Sequence, residues 1–178
     1  MLNVYEQCPT YETDSFVLRL VDLKDAPALL SCYSNKEHSK KFNADHCTNH
    51  FYFSSLEEMT QCIRFWLDEY KKKYYVRFAV IAKDKNAAVG TVEIFGGHDG
   101  VLRIDLSPIY DTEDHFTELS RLAIDAFLDD FGIENIQIKT ANIPEKRSCL
   151  ENLGFIPSQT FRTDLGYHEY NEKAGNGR

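Results

Sequence analysis

Residues Val101 to Thr140 read VLRIDLSPIYDTEDHFTELSRLAIDAFLDDFGIENIQIKT. The run Val101 to Leu106 predicts a strand, which Pro108 stops because proline has no N–H for a ladder. From about Phe116 to Phe131, Phe116, Leu119, Leu122, Ala123, Ala126 and Phe127 share one helical face, and Gly132 supplies the left-handed stop. Ile136 to Thr140 predicts a second strand. A helix between two strands predicts parallel neighbours joined by a right-handed crossover.

Upstream, Val76 to Ala82 and Ala88 to Phe95 predict a hairpin turning at Lys83 to Asn86, and Gly96, Gly97 and Gly100 mark the next turn. Ser55 and Glu58 have capping-box spacing, and Leu56, Met59, Ile63, Trp66, Leu67 and Tyr70 follow as an apolar stripe. Phe16 to Val21 predicts the first strand. The helix after it runs from about Leu23 to Tyr33, with Asp25 as N-cap and Pro27 in the first turn. Asn35 to Ser54 reads as loop with a short helix. Downstream, a helix from about Pro144 to Leu153 stops at Gly154, and Phe155 to Phe161 and Gly166 to Tyr170 form a closing strand pair. The fold class expected is α/β, a mixed sheet of six to seven strands with helices on both faces. One domain over residues 1–170 and a flexible tail over 171–178 are expected.

The chain has 178 residues, 43% of them hydrophobic, and a net charge of −8. That charge argues against nucleic acid and against an anionic membrane surface, both of which select basic faces. It is compatible with a cationic acceptor such as an amine or a basic protein terminus. Five widely spaced cysteines without a Cys-x-x-Cys pair fit free thiols in a reducing cytoplasm. Met1 to Thr10 has no basic residue ahead of an apolar run, so no signal peptide is expected. Asp45, His46, Cys47 and His50 are metal-ligand types, but their spacing matches no common zinc site and no metal is assigned. A homodimer is compatible with the sequence but not specified by it.

Three stretches together resemble the GNAT acetyltransferases, most of all the branch containing the ribosomal-protein N-terminal acetyltransferases. Leu18 to Asn35 (LRLVDLKDAPALLSCYSN) resembles the opening strand and helix of that branch. Val89 to Ile94 (VGTVEI) is similar to its strand entered through a Gly. Leu106 to Phe155 resembles its cofactor half, with Pro108 and Tyr110 after the strand, Thr117-Glu118 early in the helix and LENLGF at its close. The resemblance spans about Phe16 to Phe161. It implies an enzyme in which an amine attacks the thioester of acetyl-CoA directly, with a small amine, peptide or protein N-terminus as acceptor.

By the same resemblance the pyrophosphate sits on backbone N–H groups of an Arg/Gln-x-x-Gly-x-Gly/Ala loop that opens a helix. The cofactor-binding set implied here is Leu106, Ser107, Asp111, Asp114, His115, Phe116, Thr117 and Asn142. The loop departs from the pattern: Asp111 replaces the Arg or Gln, Asp114 and Phe116 replace the small residues, and no motif glycine remains. Three carboxylates, those of Asp111, Glu113 and Asp114, lie where a dianion should bind, so weak acetyl-CoA binding is expected. The same acids are also what an ordinary helix N-terminus favours. Asn142 equally suits a cap. A family Tyr acid corresponds to Leu150, beside Cys149, which reads as a packed thiol.

The resemblance implies a base that is an acid on the central strands, or a water held by one, which makes Glu93 and Asp105 the candidate catalytic carboxylates; both alternate with apolar neighbours on their strands. Either one beside an aromatic cleft would suit proton abstraction. Both also suit a solvated or salt-bridged strand face, with Arg103 as a partner. Two functions stay open: an acyl-CoA-dependent N-acyltransferase, and a non-catalytic protein that kept the fold and lost tight CoA binding. A metal-binding module would rest on His46 to His50 alone.

Overall fold

The computed structural model describes residues 3–42, 51–95 and 99–171. Eight strands form one sheet in the order β1-β2-β3-β4-β5-β6-β8-β7. They are β1 (Tyr11–Glu12), β2 (Phe16–Leu20), β3 (Tyr75–Ala82), β4 (Ala87–Phe95), β5 (Asp99–Leu106), β6 (Asn135–Lys139), β7 (Ile156–Pro157) and β8 (Tyr167–Asn171). The sheet is mixed, with β5 and β6 parallel and the other pairs antiparallel. The expected parallel pair is therefore present. The count exceeds six to seven because β1 is only two residues long, too short to leave an alternation. Asn171, placed in the tail by composition, pairs with Asn135 and ends β8.

Helices α1 (Ala26–Tyr33) and α2 (Leu56–Lys71) pack on one face of the sheet. The other face carries α3 (Glu113–Leu122), a π-turn at Ala123–Phe127, α4 (Leu128–Phe131) and α5 (Arg147–Asn152). Along β3 the pleat sends Val76, Phe78 and Val80 to the α3 side and Tyr75 and Ala79 to the α1–α2 side.

Ser55 and Glu58 make the reciprocal capping box that their spacing predicts, and Met59, Ile63 and Trp66 are buried. Leu56 is the exception in that stripe and is exposed. Asp25 holds the N-cap position of α1 as expected, but its side chain makes no cap bond there. Asp22 caps a short 3-10 turn, Leu23–Asp25, and the Asp25 carboxylate instead bonds the Asp22 N–H and Arg19. The third helix starts at Glu113, three residues ahead of its apolar face, because Thr112 caps it. Gly132 ends the run at φ 61, as expected. His46, Cys47 and His50, with Asp45, lie outside the described residues, as do Gly96, Gly97 and residues 172–178. Among the described residues no helix is long and apolar enough to cross a membrane.

Gly90 has a steric role. A Cβ built there would lie 2.0 Å from the Asp105 carbonyl oxygen and 2.9 Å from the Leu106 Cα. Both are backbone atoms, so β4 and β5 would have to separate. Gly90→Ala is expected to cost about 3 kcal/mol, the upper end for overpacking. Urea denaturation of the variant checks this.

Candidate active site

The parallel ladder between β5 and β6 is short. It pairs Asp99 with Asn135, Gly100 with Ile136 and Val101 with Gln137. Beyond that, β5 stays with β4 through Leu106, and β6 stays with β8 through Lys139. The backbone at the parting finds partners elsewhere. Ser107 N–H donates to Val89 O, the Leu106 carbonyl accepts from His38 Nε2, and Thr140 N–H donates to Gly166 O. These three bonds satisfy part of the backbone that the divergence frees. Between them lies a cleft walled by Ile104, Asp105, Phe116, Ile138, Asn142 and Lys146. Its volume is about 40 Å³, room for about three waters.

One wall of the cleft backs onto a buried charged network. Cross-strand register places Arg77 opposite Glu93, Glu93 opposite Arg103, and Thr91 opposite Asp105, all on the α1–α2 face. Arg77 Nε donates to Glu93 Oε2 at 2.9 Å, and its Nη2 donates to the same oxygen. Arg77 Nη1 reaches Thr91 Oγ1 at 2.9 Å and Asp105 Oδ2 at 3.2 Å. Arg103 Nη1 donates to Glu93 Oε1. Tyr33 OH donates to Asp105 Oδ2 at 2.9 Å and lies 2.7 Å from Thr91 Oγ1. The Trp66 ring covers the guanidinium, 4.4 Å from Arg77 Cζ.

The two candidate carboxylates therefore differ. Glu93 is 1% exposed and has both oxygens held by arginines. Asp105 is 2% exposed, is held through Oδ2 alone in these bonds, and walls the cleft. A solvated strand face is excluded for both, while the salt bridge to Arg103 is present for Glu93. Burial pushes the Asp105 carboxyl up, against the opposing pull of Arg77 and Tyr33. Burial opposes the charge on Arg77, but Glu93, Tyr33 and Asp105 more than offset it, so Arg77 is held above its ordinary value.

Beyond β5 the sequence-predicted residues separate. Leu106 and Asp111 border the cleft, and so does Phe116. Phe116 is 3% exposed, so it is a wall of the core as well as of the cleft. Ser107 shapes the turn, its carbonyl accepting from Tyr110 and Asp111 N–H. Asp114 and Thr117 border a different, acidic depression with Glu118 and Asp125. His115 is turned inward, Nδ1 donating to the Tyr110 carbonyl and the ring stacked on Tyr110. Of Asp111, Glu113 and Asp114, only Asp111 lines the cleft.

Asp111 is also not a bare charge. Its carboxylate lies 3.2 Å from Lys146 Nζ, 3.5 Å from Lys41 Nζ and 3.7 Å from His38 Nε2. Asn142 sits across the cleft, its Nδ2 donating to the Lys41 carbonyl. Its Oδ1 is buried with no hydrogen-bond partner among the described residues, and a buried polar atom of this kind calls for a donor. Cys149 and Leu150 are core residues.

Phe51 and Phe53 pack edge or tilted against Tyr33 and roof the network. Sequence reasoning missed Arg77, Tyr33, Lys41 and Lys146. An arginine inside YVRFAVIA was the one readable signal, since a charge within an apolar strand run needs a buried partner. Among the described residues no group of three or more His, Cys, Asp or Glu is placed to hold a metal.

A family model described as an acetyltransferase (GNAT) domain matches residues 15–156. An uncharacterized N-acetyltransferase, YoaA of Bacillus subtilis (strain 168), is 26% identical over 84 residues, which are 47% of this chain and 44% of that protein. The chain thus spans under half the length of that curated relative. The structure of a ribosomal-protein-S5-alanine acetyltransferase from Vibrio fischeri superposes with a TM-score of 0.67 at 16% identity, covering 92% of this chain and 96% of the other. Mycobacterium smegmatis RimJ, in complex with a CoA disulfide, gives a TM-score of 0.73 at 13% identity, covering 89% and 83%.

Proposed function

The chain belongs to the GNAT acetyltransferase family, and from that premise we propose that it moves an acetyl group from acetyl-CoA to an amine, with Asp105 as the base. The observation that carries this reading is the parting of β5 and β6 directly beside Asp105. The acetyl-CoA thioester supplies an activated carbonyl. The amine forms the new C–N bond as the C–S bond breaks, and the thiolate leaves.

The chain's own part is to hold the thioester arm between the strands and to take the amine's proton. Asn142 Oδ1 is suited to accept an amide N–H of the arm. Asp105 takes the proton, and Tyr33 and Arg77 fix its orientation through Oδ2. Glu93 is a counterion of Arg77 and Arg103, not a base. Leu106, Ser107 and Asp111 border the path of the diphosphate. The side chains of His115, Asp114 and Thr117 face elsewhere, so any part they take is through their backbone.

The acceptor class is a small amine or a peptide or protein N-terminus. The net charge of −8 favours a cationic one. Release of CoA thiol from acetyl-CoA, with peptides bearing free or blocked α-amines, tests the reading. Acetylation confined to free amines supports it. Thiol release that ignores the acceptor would count against it.

A pH test follows from Asp105. A folded-state acid whose pKa is raised binds its proton more tightly than the unfolded chain does. Its stabilising contribution is complete below the ordinary carboxylate range and is lost as pH rises through the elevated value. The stability of the wild type relative to Asp105→Asn should therefore fall with rising pH across that window, read by urea melts. A difference that stays flat would show that burial does not perturb this group. The rate should rise over the same window, as the base becomes ionised.

A further inference from the structure

In the loop after β5 most backbone donors are already engaged, and the first-turn N–H groups of Glu113 and Asp114 are the exceptions. The N–H groups of Tyr110 and Asp111 go to the Ser107 carbonyl, that of Thr112 goes to the Tyr110 carbonyl, and that of His115 goes to Thr112 Oγ1. Positive charge near the cleft mouth comes instead from side chains on two other elements. Lys41 ends the 3-10 turn His38–Lys41, and Lys146 ends the turn Pro144–Lys146. Lys146 is 4% exposed and also donates to the Asp111 carbonyl at 3.2 Å. Lys41 is 41% exposed and pairs with Glu145 at 2.7 Å.

The geometry around Asp111 is loose. Three nitrogen groups surround one carboxylate at 3.2, 3.5 and 3.7 Å. A close charge-assisted bond is about 2.7–2.9 Å. The socket is wider than its occupant and opens to solvent on the Lys41 side. A phosphate, larger than a carboxylate and with three accepting oxygens, fills such a socket better.

We propose that Lys41 and Lys146 form an anion seat, that the Asp111 carboxylate is its resident occupant, and that a phosphate of the donor binds by exchanging with it. The proposal rests on the acetyl-CoA reading above, but it assigns the seat to side chains from outside the loop. Asp111 then sets donor affinity as an internal competitor. It also matches the charge of buried Lys146 when no ligand is bound, which a neutral residue would leave unpaired.

The test is calorimetry and thermal melting with inorganic pyrophosphate, CoA and acetyl-pantetheine, which carries no phosphate. Asp111→Asn should bind pyrophosphate and CoA roughly tenfold more tightly than wild type, the effect of about one charge–charge pair. The unliganded variant should melt lower than wild type, and pyrophosphate should raise it further. Lys146→Met should weaken both phosphate ligands by a similar factor. Lys41→Met, at an exposed position, reads the same seat if Lys146→Met does not fold. Acetyl-pantetheine binding should change by much less than that of the two phosphate ligands in each of them. Pyrophosphate and CoA binding no tighter in Asp111→Asn than in wild type would overturn the proposal, as would equal shifts for acetyl-pantetheine. Acetyl transfer from acetyl-pantetheine alongside such a result would leave the acetyltransferase reading standing while the seat fails.

Discussion

Asp105→Asn lowers acetyl transfer by about 10²–10⁴-fold, the range for loss of a positioned general base. The amide keeps the size of the side chain, and its carbonyl oxygen can still accept from Tyr33 OH and Arg77 Nη1, the two donors that hold the carboxylate. Packing is therefore preserved while the proton acceptor is lost. Donor affinity should change little, so the loss falls in kcat. Glu93→Gln is the control. Glu93 is enclosed by Arg77 and Arg103, and its loss should appear in stability before it appears in chemistry. Steady-state kinetics on both folded variants decides between them. Full turnover in Asp105→Asn would remove this carboxylate from the mechanism.

Arg77→Met destabilises the protein by about 3–5 kcal/mol, the cost of leaving buried charges without their partner. Arg77 is 1% exposed and is the shared donor to Glu93, Thr91 and Asp105. Methionine fills much of the volume beneath Trp66 but supplies no donor. Two carboxylates then share a dry site with only Arg103 and Tyr33 in support. Arg77→Lys should restore only part of the loss, because one ammonium cannot reproduce the fork that spans three acceptors. For a chain of this size each kcal/mol shifts the melting temperature by about 2–4 °C. Melting within 2 °C of wild type would mean that the network is not what holds β3, β4 and β5 together on this face.

The strand–helix–strand unit from Val101 to Thr140 was legible because its signals are local. Pro108 stops a strand, Gly132 stops a helix at positive φ, and Ser55 with Glu58 makes a capping box within four residues. Short-range chemistry of this kind is written into the order of residues. Asp25 shows the limit of such reading. It is a good cap by type, yet Asp22 does the capping and Arg19 takes Asp25. Phe116 shows it again. Aligned to the motif it stands where a small residue is expected, but its ring belongs to the core under Lys146.

The charged network and the lysine seat were not legible for a different reason. Arg77 and Glu93 lie 16 residues apart and Tyr33 and Asp105 lie 72 apart; strand register joins the first pair, and the packing of α1 on the sheet joins the second. Lys41 and Asp111 meet across 70 residues through a turn whose partner could not be read from composition. The acidic loop therefore looked like three uncompensated charges. Folding separates them, turning Asp114 to another surface and matching Asp111 with cations.

Calorimetric titration of the wild-type protein with acetyl-CoA tests the central claim most directly, because the β5–β6 cleft either takes the thioester donor or does not. The predicted result is saturable one-to-one binding, weak because Asp111 competes for the seat, and weaker still as salt rises. No binding of acetyl-CoA and none of acetyl-pantetheine, in wild type and in Asp111→Asn alike, would contradict the assignment of this cleft to an acetyl donor.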